Sequence, residues 1–162
     1  MARDTEMMTT AEIKEIAIVN SNLDTAYLDQ YILYSQRFYI REFLGKEFYE
    51  ELLTQIAAAS LTTNNTNVLV YIKDALAHYV VYESLTQVRT QISKGGVNTN
   101  LTATSEPATD LGYGNTRNDY IMKAERFREE IDYYIKQIRE DDATAYPLYC
   151  KTSKQTGGII IY

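Results

Sequence analysis

The feature that most constrains this chain is the stretch Asn67–Ser93, NVLVYIKDALAHYVVYESLTQVRTQIS, which holds neither Gly nor Pro. Val68, Leu69, Ile72, Ala75, Leu76, Tyr79, Val80, Leu85, Val88 and Ile92 recur mostly at spacings of three and four, the period of a helix face. Val70, Tyr71, Val81 and Tyr82 fill the flanks of the first half. A helix that is apolar nearly all round is packed on several sides. At about 1.5 Å per residue it would run roughly 40 Å. The stretch is therefore expected to be a central helix with the other helices laid against it.

The segments before it carry helix punctuation. Residues 1–8 are polar and are expected to form a mobile N-terminal arm. Thr9-Thr10-Ala11-Glu12 is a capping box, so a short helix should run from Ala11 to Ile16, pinned by Ile13, Ile16 and Ile18. Asn20-Ser21-Asn22-Leu23-Asp24 is turn chemistry, and Asp24 can cap the next helix. That helix should span about Thr25–Leu44, with Leu28, Tyr31, Ile32, Ser35, Phe38, Tyr39 and Phe43 as its buried stripe. Gly45 should break it at a left-handed cap or tight corner. A third helix, Lys46–Ser60, has Phe48, Tyr49, Leu52, Leu53 and Ile56 on one face, and Leu61–Thr66 is expected to be a polar loop.

Beyond the central stretch, residues 95–117 show no helical period and hold four of the seven Gly residues. A loop of that length inside a domain is usually functional. Val97, Thr99, Leu101 and Ala103 alternate with polar residues, which admits a short hairpin arm. A last helix should start at Asn118, with Ile121, Ala124, Phe127, Ile131, Tyr134, Ile135 and Ile138 as its apolar stripe. Glu140-Asp141-Asp142 would close it with charge of the unfavourable sign, which implies fraying or a basic partner. Ala145–Tyr149 should be extended, because Pro147 disfavours helix before it. Residues 151–162 read as an extended C-terminal tail: a polar tether, Gly157-Gly158, then Ile159, Ile160, Ile161 and Tyr162. The fold class expected is thus all-α, one domain over residues 9–150: a bundle of four to five helices around a long central one.

Composition excludes several functions. The net charge of −6 and the absence of a basic run argue against a DNA-reading surface. The single cysteine, Cys150, cannot form an internal disulfide and fits a reducing compartment. The opening MARDTEMMTTAEIKE carries charges where a signal peptide needs an apolar run. No apolar segment reaches the roughly 18 residues of a membrane span. Asn64-Asn65-Thr66 and Asn100-Leu101-Thr102 match the glycosylation sequon but are read as loop sequence. His78 is the only histidine, so neither HExxH nor a di-iron carboxylate–histidine set can be built. Gly112-Tyr113-Gly114 and Lys94-Gly95-Gly96 lack the context of a phosphate loop. Glu125, Glu129 and Asp132 share a helix face, read as solvated rather than metal-binding. No catalytic residue, metal ligand or cofactor is expected, and the chain is read as a non-enzyme. With 15 Tyr and no Trp, Tyr serves either the core or interfaces.

One stretch carries a family likeness. Within Thr10–Ile56 the chain reads TAEIKE, then NSNLD, then YILYSQRFYIREFLGKEFYEELLTQI. With the long apolar helix, the Gly95-Gly96 loop, a final helix and Tyr146-Pro147-Leu148-Tyr149, it resembles small helical head–tail connector (head-completion, or adaptor) proteins of tailed phages, notably crAss-like and other phages of Bacteroidetes. The likeness covers most of residues 10–150. It implies a structural virion protein at the neck, made in the host cytoplasm, that forms a dodecameric ring under the portal and extends the DNA channel towards the tail. Its partners would be further copies of itself, the portal protein, and tail or second-ring proteins, with DNA passing through without sequence-specific binding and no membrane involved. The interface residues expected are Gly95, Gly96, Val97, Leu101, Tyr113, Ile159, Ile160, Ile161 and Tyr162. The reading from another class is a small helical regulatory or protein-binding module without enzymatic activity.

Overall fold

Local capping sets the first helix. Thr9 Oγ1 accepts from the Glu12 amide at 3.4 Å, and the Glu12 carboxylate accepts from the Thr9 amide at 2.7 Å, so α1 (Thr10–Ile16) starts at the expected capping box. The computed structural model of the chain describes residues 5–19, 25–93, 96–99 and 110–150. Glu12 also receives Lys73 Nζ at 2.5 Å, which ties α1 to the centre of the bundle. Burial pushes the Glu12 carboxyl up, but Lys73 and the Thr9 bonds outweigh it and hold it below the ordinary value. Ile13 is fully buried, whereas Ile18 is 89% exposed at a positive φ of 52° and does not pin the helix; Val19 packs there instead.

The second rod is α2 (Ala26–Ser35), a π-helical turn (Gln36–Ile40) and α3 (Arg41–Leu44), continuous as expected. Of its expected stripe Leu28, Ile32, Ser35 and Phe43 are buried, Tyr31 and Tyr39 are half-buried, and Phe38 is not buried. Leu28, Ile32, Gln36, Ile40 and Leu44 are buried at a strict spacing of four, while Phe38 is 52% exposed. In a regular α-helix each fourth residue drifts about 40°, so four such steps would swing Leu44 roughly 160° away from Leu28. The Arg41 amide instead bonds Gln36 O, a 5-residue step that inserts one residue and resets the phase. The 3.6 period assumed in reading Phe38 as core is therefore broken where it mattered.

Gly45 makes the corner to α4 (Lys46–Ala57) with φ 83° and ψ 153°, a conformation essentially confined to glycine. A Cβ there would also meet the Cys150 carbonyl at 3.4 Å. Helix α4 buries Phe48, Tyr49, Leu52 and Leu53. It ends at Ala57 rather than Ser60, where Ala59 takes a positive φ of 50° and the Ser60 amide bonds Gln55 O at 2.9 Å.

Helix α5 (Thr63–Arg89) is the expected central helix and contacts α1, α2, the π turn and α6. It starts before Asn67. Thr62 Oγ1 accepts from the Asn65 amide at 3.2 Å, and the buried Asn65 side chain donates to Glu51 and Gln55 of α4. Asn64-Asn65-Thr66 is thus the first turn of a helix and not a loop. The helix also stops earlier than expected. Thr90–Ser93 forms strand β1, which pairs antiparallel with β2 (Gly96–Thr99) in the register Thr90↔Thr99, Gln91↔Asn98, Ile92↔Val97 and Ser93↔Gly96.

Helix α6 (Asp110–Asp141) begins well before the expected Asn118, so Gly112-Tyr113-Gly114 is helical. Thr116 Oγ1 bonds Gly112 O at 3.0 Å, and the Arg117 guanidinium lies 4.1 Å from the centre of the Tyr82 ring. Those side-chain contacts hold a first turn that two glycines alone would not favour. The pairs Tyr82–Arg117, His78–Tyr120, Tyr79–Glu125 and Tyr71–Tyr134 show α6 running antiparallel to α5. Ala124, Ile131 and Ile135 are buried in the expected stripe. The described residues thus make five helical rods, four of them around α5, an all-α bundle with a two-stranded ribbon after α5.

Candidate functional site

Residues 5–8 belong to the expected mobile arm, but Met7 and Met8 are buried in the core. The cause is Gln36, a fully buried side chain on the π turn. Its Oε1 accepts from the Met7 amide at 2.9 Å, and its Nε2 donates to Thr5 O at 2.9 Å and Tyr49 Oη at 3.0 Å. One amide therefore satisfies the arm, the rod and α4 together. Only its position, polar and one residue out of phase with the 3.6 period, hinted at this in the sequence.

Several tyrosine hydroxyls and carboxylates between the helices are paired with one another. Tyr39 donates to the Glu83 carboxylate, and its ring stacks on Tyr79 with centres 4.1 Å apart. Tyr79 in turn donates to Glu125 at 3.0 Å, and Glu125 is paired with Arg128. Burial first, then Glu83, raises the Tyr39 hydroxyl above the phenol range; burial raises Tyr79 likewise, with Arg128 opposing. These are neutral donors fixed to carboxylates and offer no acid or base near neutral pH. His78 Nδ1 lies 2.8 Å from Asp74 O, and the ring packs on Phe127 with centres 4.9 Å apart. Burial lowers its pKa, with the Asp74 carbonyl opposing. Asp132 is buried, correcting its assignment to a solvated face: it accepts from Tyr149 Oη at 3.0 Å and pairs with Lys136 at 2.8 Å. Among the described residues, no group of His, Cys, Asp and Glu is arranged to hold a metal ion.

The end of α6 is also rebuilt. Arg139 in its last turn donates to the carbonyls of Ala145, Tyr146 and Tyr149 at 3.1, 2.5 and 3.1 Å. Those contacts fold residues 145–149 into a turn, not an extended strand. Tyr146 takes a positive φ of 52° while its hydroxyl reaches Asn64 O at 2.7 Å. Arg139 thus serves the turn that follows the helix, while Asp142 accepts from the Thr144 amide and hydroxyl at 2.9 and 2.7 Å. Cys150 is exposed and free.

The expected interface residues fall in different places. Gly96 and Val97 lie in β2, opposite Ser93 and Ile92. Tyr113 lies in the first turns of α6 and is half-buried. Gly95, Leu101 and the tail Ile159, Ile160, Ile161 and Tyr162 lie outside the described residues.

The surface feature the sequence reading missed is on α2. Tyr34 and Phe38 are exposed and Tyr27 and Tyr31 are half-buried, at spacings of four, three and four along the rod. The Tyr34 and Phe38 rings stack at 5.5 Å with planes 7° apart; Tyr31 meets Tyr34 edge-on, and Tyr39 meets Phe38 edge-on. Through Tyr39 and Tyr79 this ladder is anchored in the core. The signal was present as a second apolar stripe beside Leu28 and Ile32, but both stripes were read as one core face.

Fold and surfaces together define a small all-α bundle with a two-stranded ribbon and an aromatic outer stripe. The chain belongs to the family of unknown function DUF6712, whose family model matches residues 40–159. No curated protein and no solved structure matches the chain.

Proposed function

We propose that this chain is a structural virion protein, a head-to-tail connector subunit that forms a ring beneath the portal of a tailed phage and extends the DNA channel. The observation that carries this reading is the α5–α6 antiparallel pair with the β1–β2 ribbon following α5. A ring contact is heterologous and needs two different surfaces on each subunit. A rigid helical body with an arm at one end supplies unlike surfaces, and the likeness over residues 10–150 names the class that uses them. The buried tyrosine–carboxylate pairs support a scaffold role, since each is consumed by helix packing.

In the assembled ring, Ile159–Tyr162 would add a strand to a neighbouring protein, the apolar side chains giving specificity and the backbone the hydrogen bonds. Removing residues 157–162 should then abolish stable docking while leaving the subunit helical; unchanged docking would defeat this part. The acidic balance, −6 overall, would keep the channel wall from gripping passing DNA. A bore lined by Lys and Arg in the assembled ring would contradict it. The whole reading is tested by mixing the chain with the portal protein of the same source. A regulatory module would stay monomeric or dimeric and ignore the portal.

A further inference from the structure

We propose that Arg117 of one copy of this chain docks against Glu83 of the next, a head-to-tail contact between the α6 side of one subunit and the rod side of its neighbour. The proposal deepens the connector reading and rests on it, since a ring is one such contact repeated.

The donor is a cation that its own chain leaves unneutralised. Lys73, Lys123, Arg128 and Lys136 each meet a carboxylate within the chain, and Arg139 meets three carbonyls. Arg117, half-buried in the second turn of α6, meets neither among the described residues. Its guanidinium lies 4.1 Å from the centre of the Tyr82 ring, and its Nε is buried without a hydrogen-bond partner. Stacking covers one face of the planar group and leaves its edge, where the donors lie, for an acceptor.

Glu83, half-buried on α5, is the matching charge. Tyr39 donates to its Oε1, a bond that serves helix packing but brings no positive charge. No cation pairs with it among the described residues. Burial first, then Glu83, raises the hydroxyls of both Tyr31 and Tyr39, which sets the carboxylate near both rings. Next to them the Tyr34–Phe38 stack is exposed. Ring surface beside a carboxylate suits a guanidinium, which is weakly hydrated and packs on aromatic side chains.

The two groups sit on different sides of one helix. Tyr82 and Glu83 are consecutive on α5 and point about 100° apart. Tyr82 turns to α6, where Arg117 covers it, and Glu83 turns to the rod, where Tyr39 bonds it. One subunit therefore offers two unlike surfaces of opposite charge, which complement each other between copies. A net charge of −6 repels copies from one another, so their contact needs a specific opposite pair. A half-buried charge without a counter-ion is costly, and one contact relieves two of them.

A charge exchange tests the pair. The mass of the full chain is followed by light scattering over a concentration series, alone and with the portal protein of the same source, with helicity checked by circular dichroism. Arg117→Glu, Glu83→Arg and Glu83→Gln are compared with the unaltered chain. Glu83→Gln keeps an acceptor for Tyr39, so it removes the charge without removing that bond. Each variant should weaken association between copies roughly tenfold or more. Mixing Arg117→Glu with Glu83→Arg should restore it, because each new charge then faces its opposite. Association unchanged in Arg117→Glu and Glu83→Gln overturns the pairing and leaves the connector reading standing. Variants that weaken association singly but do not recover on mixing overturn it as well. An unaltered chain that stays monomeric with and without portal overturns both.

Discussion

Replacing Gln36 by Ala removes the one side chain that joins residues 5–8, the π turn and α4. Three hydrogen bonds are lost, from the Met7 amide and to Thr5 O and Tyr49 Oη. Met7 is 3% exposed, so its N–H would be left buried without a partner, at a cost of about 1–3 kcal/mol. The two other bonds contribute about 0.5–1.5 kcal/mol each, with partial recovery at Thr5 through water. The truncated volume at a fully buried position adds a cavity term. The sum is about 3–5 kcal/mol. With a slope near 2 kcal/mol per molar urea, the unfolding midpoint should fall by about 2 M. Gln36→Leu fills the space but still strands the Met7 amide, so it should retain at least half of the loss. In a chain lacking residues 1–8 the Gln36→Ala penalty should shrink by more than about 1 kcal/mol, the mark of coupling between groups in contact. A Gln36→Ala change below about 1 kcal/mol, or one equal in both backgrounds, would refute the clamp.

Other substitutions probe the remaining features. Across the π turn, Ile40→Ala should cost about 2–5 kcal/mol and Phe38→Ser under about 1 kcal/mol, the reverse of what an uninterrupted 3.6 period requires; chemical denaturation of both decides it. Arg139→Ala should release the turn at residues 145–149, costing about 2 kcal/mol and speeding proteolytic cleavage there, and Arg139→Lys should rescue little because a single ammonium cannot span three carbonyls. His78 has its pKa lowered by burial from the ordinary 6.5, so the unfolded chain binds the proton more readily. Stability is therefore full above about pH 6.5 and falls as the pH drops below it, and His78→Gln should flatten that slope in unfolding measured between pH 7 and 5. Asp74, raised by burial with His78 opposing, acts in the opposite sense from the carboxylate range upward, and loss of His78 raises it further, so the comparison is read at the upper end of the range, at about pH 6 to 7.

Much of this fold is legible before any coordinates. The capping box at Thr9–Glu12 is a local signal with a local cause, and the structure places α1 on it. Gly45 and the apolar run of α5 are equally local, which is why the corner and the central helix fall where they should. The errors share a different origin. Phe38 is expected in the core and Gln36 and Ile40 are absent from the expected stripe because a π turn is a tertiary compromise with no residue signature of its own. The start of α5 depends on Asn65 meeting Glu51 and Gln55 from another helix, and the start of α6 on Arg117 meeting Tyr82. Thr90–Ser93 has apolar spacing that suits either a helix or a strand, and pairing with Gly96–Thr99 decides it. The candidate surfaces were half legible. Alternation from Val97 signals an extended arm, but its partner strand is Thr90–Ser93, expected as helix; the α2 stripe is hidden because aromatic residues at helical spacing read as core.

The most direct test of the connector reading is the mass of the purified chain in solution, alone and mixed with the portal protein of the same source. The account predicts ring-sized particles, or a defined complex that forms when portal is added. A monomer or dimer whose mass is unchanged by portal would contradict it.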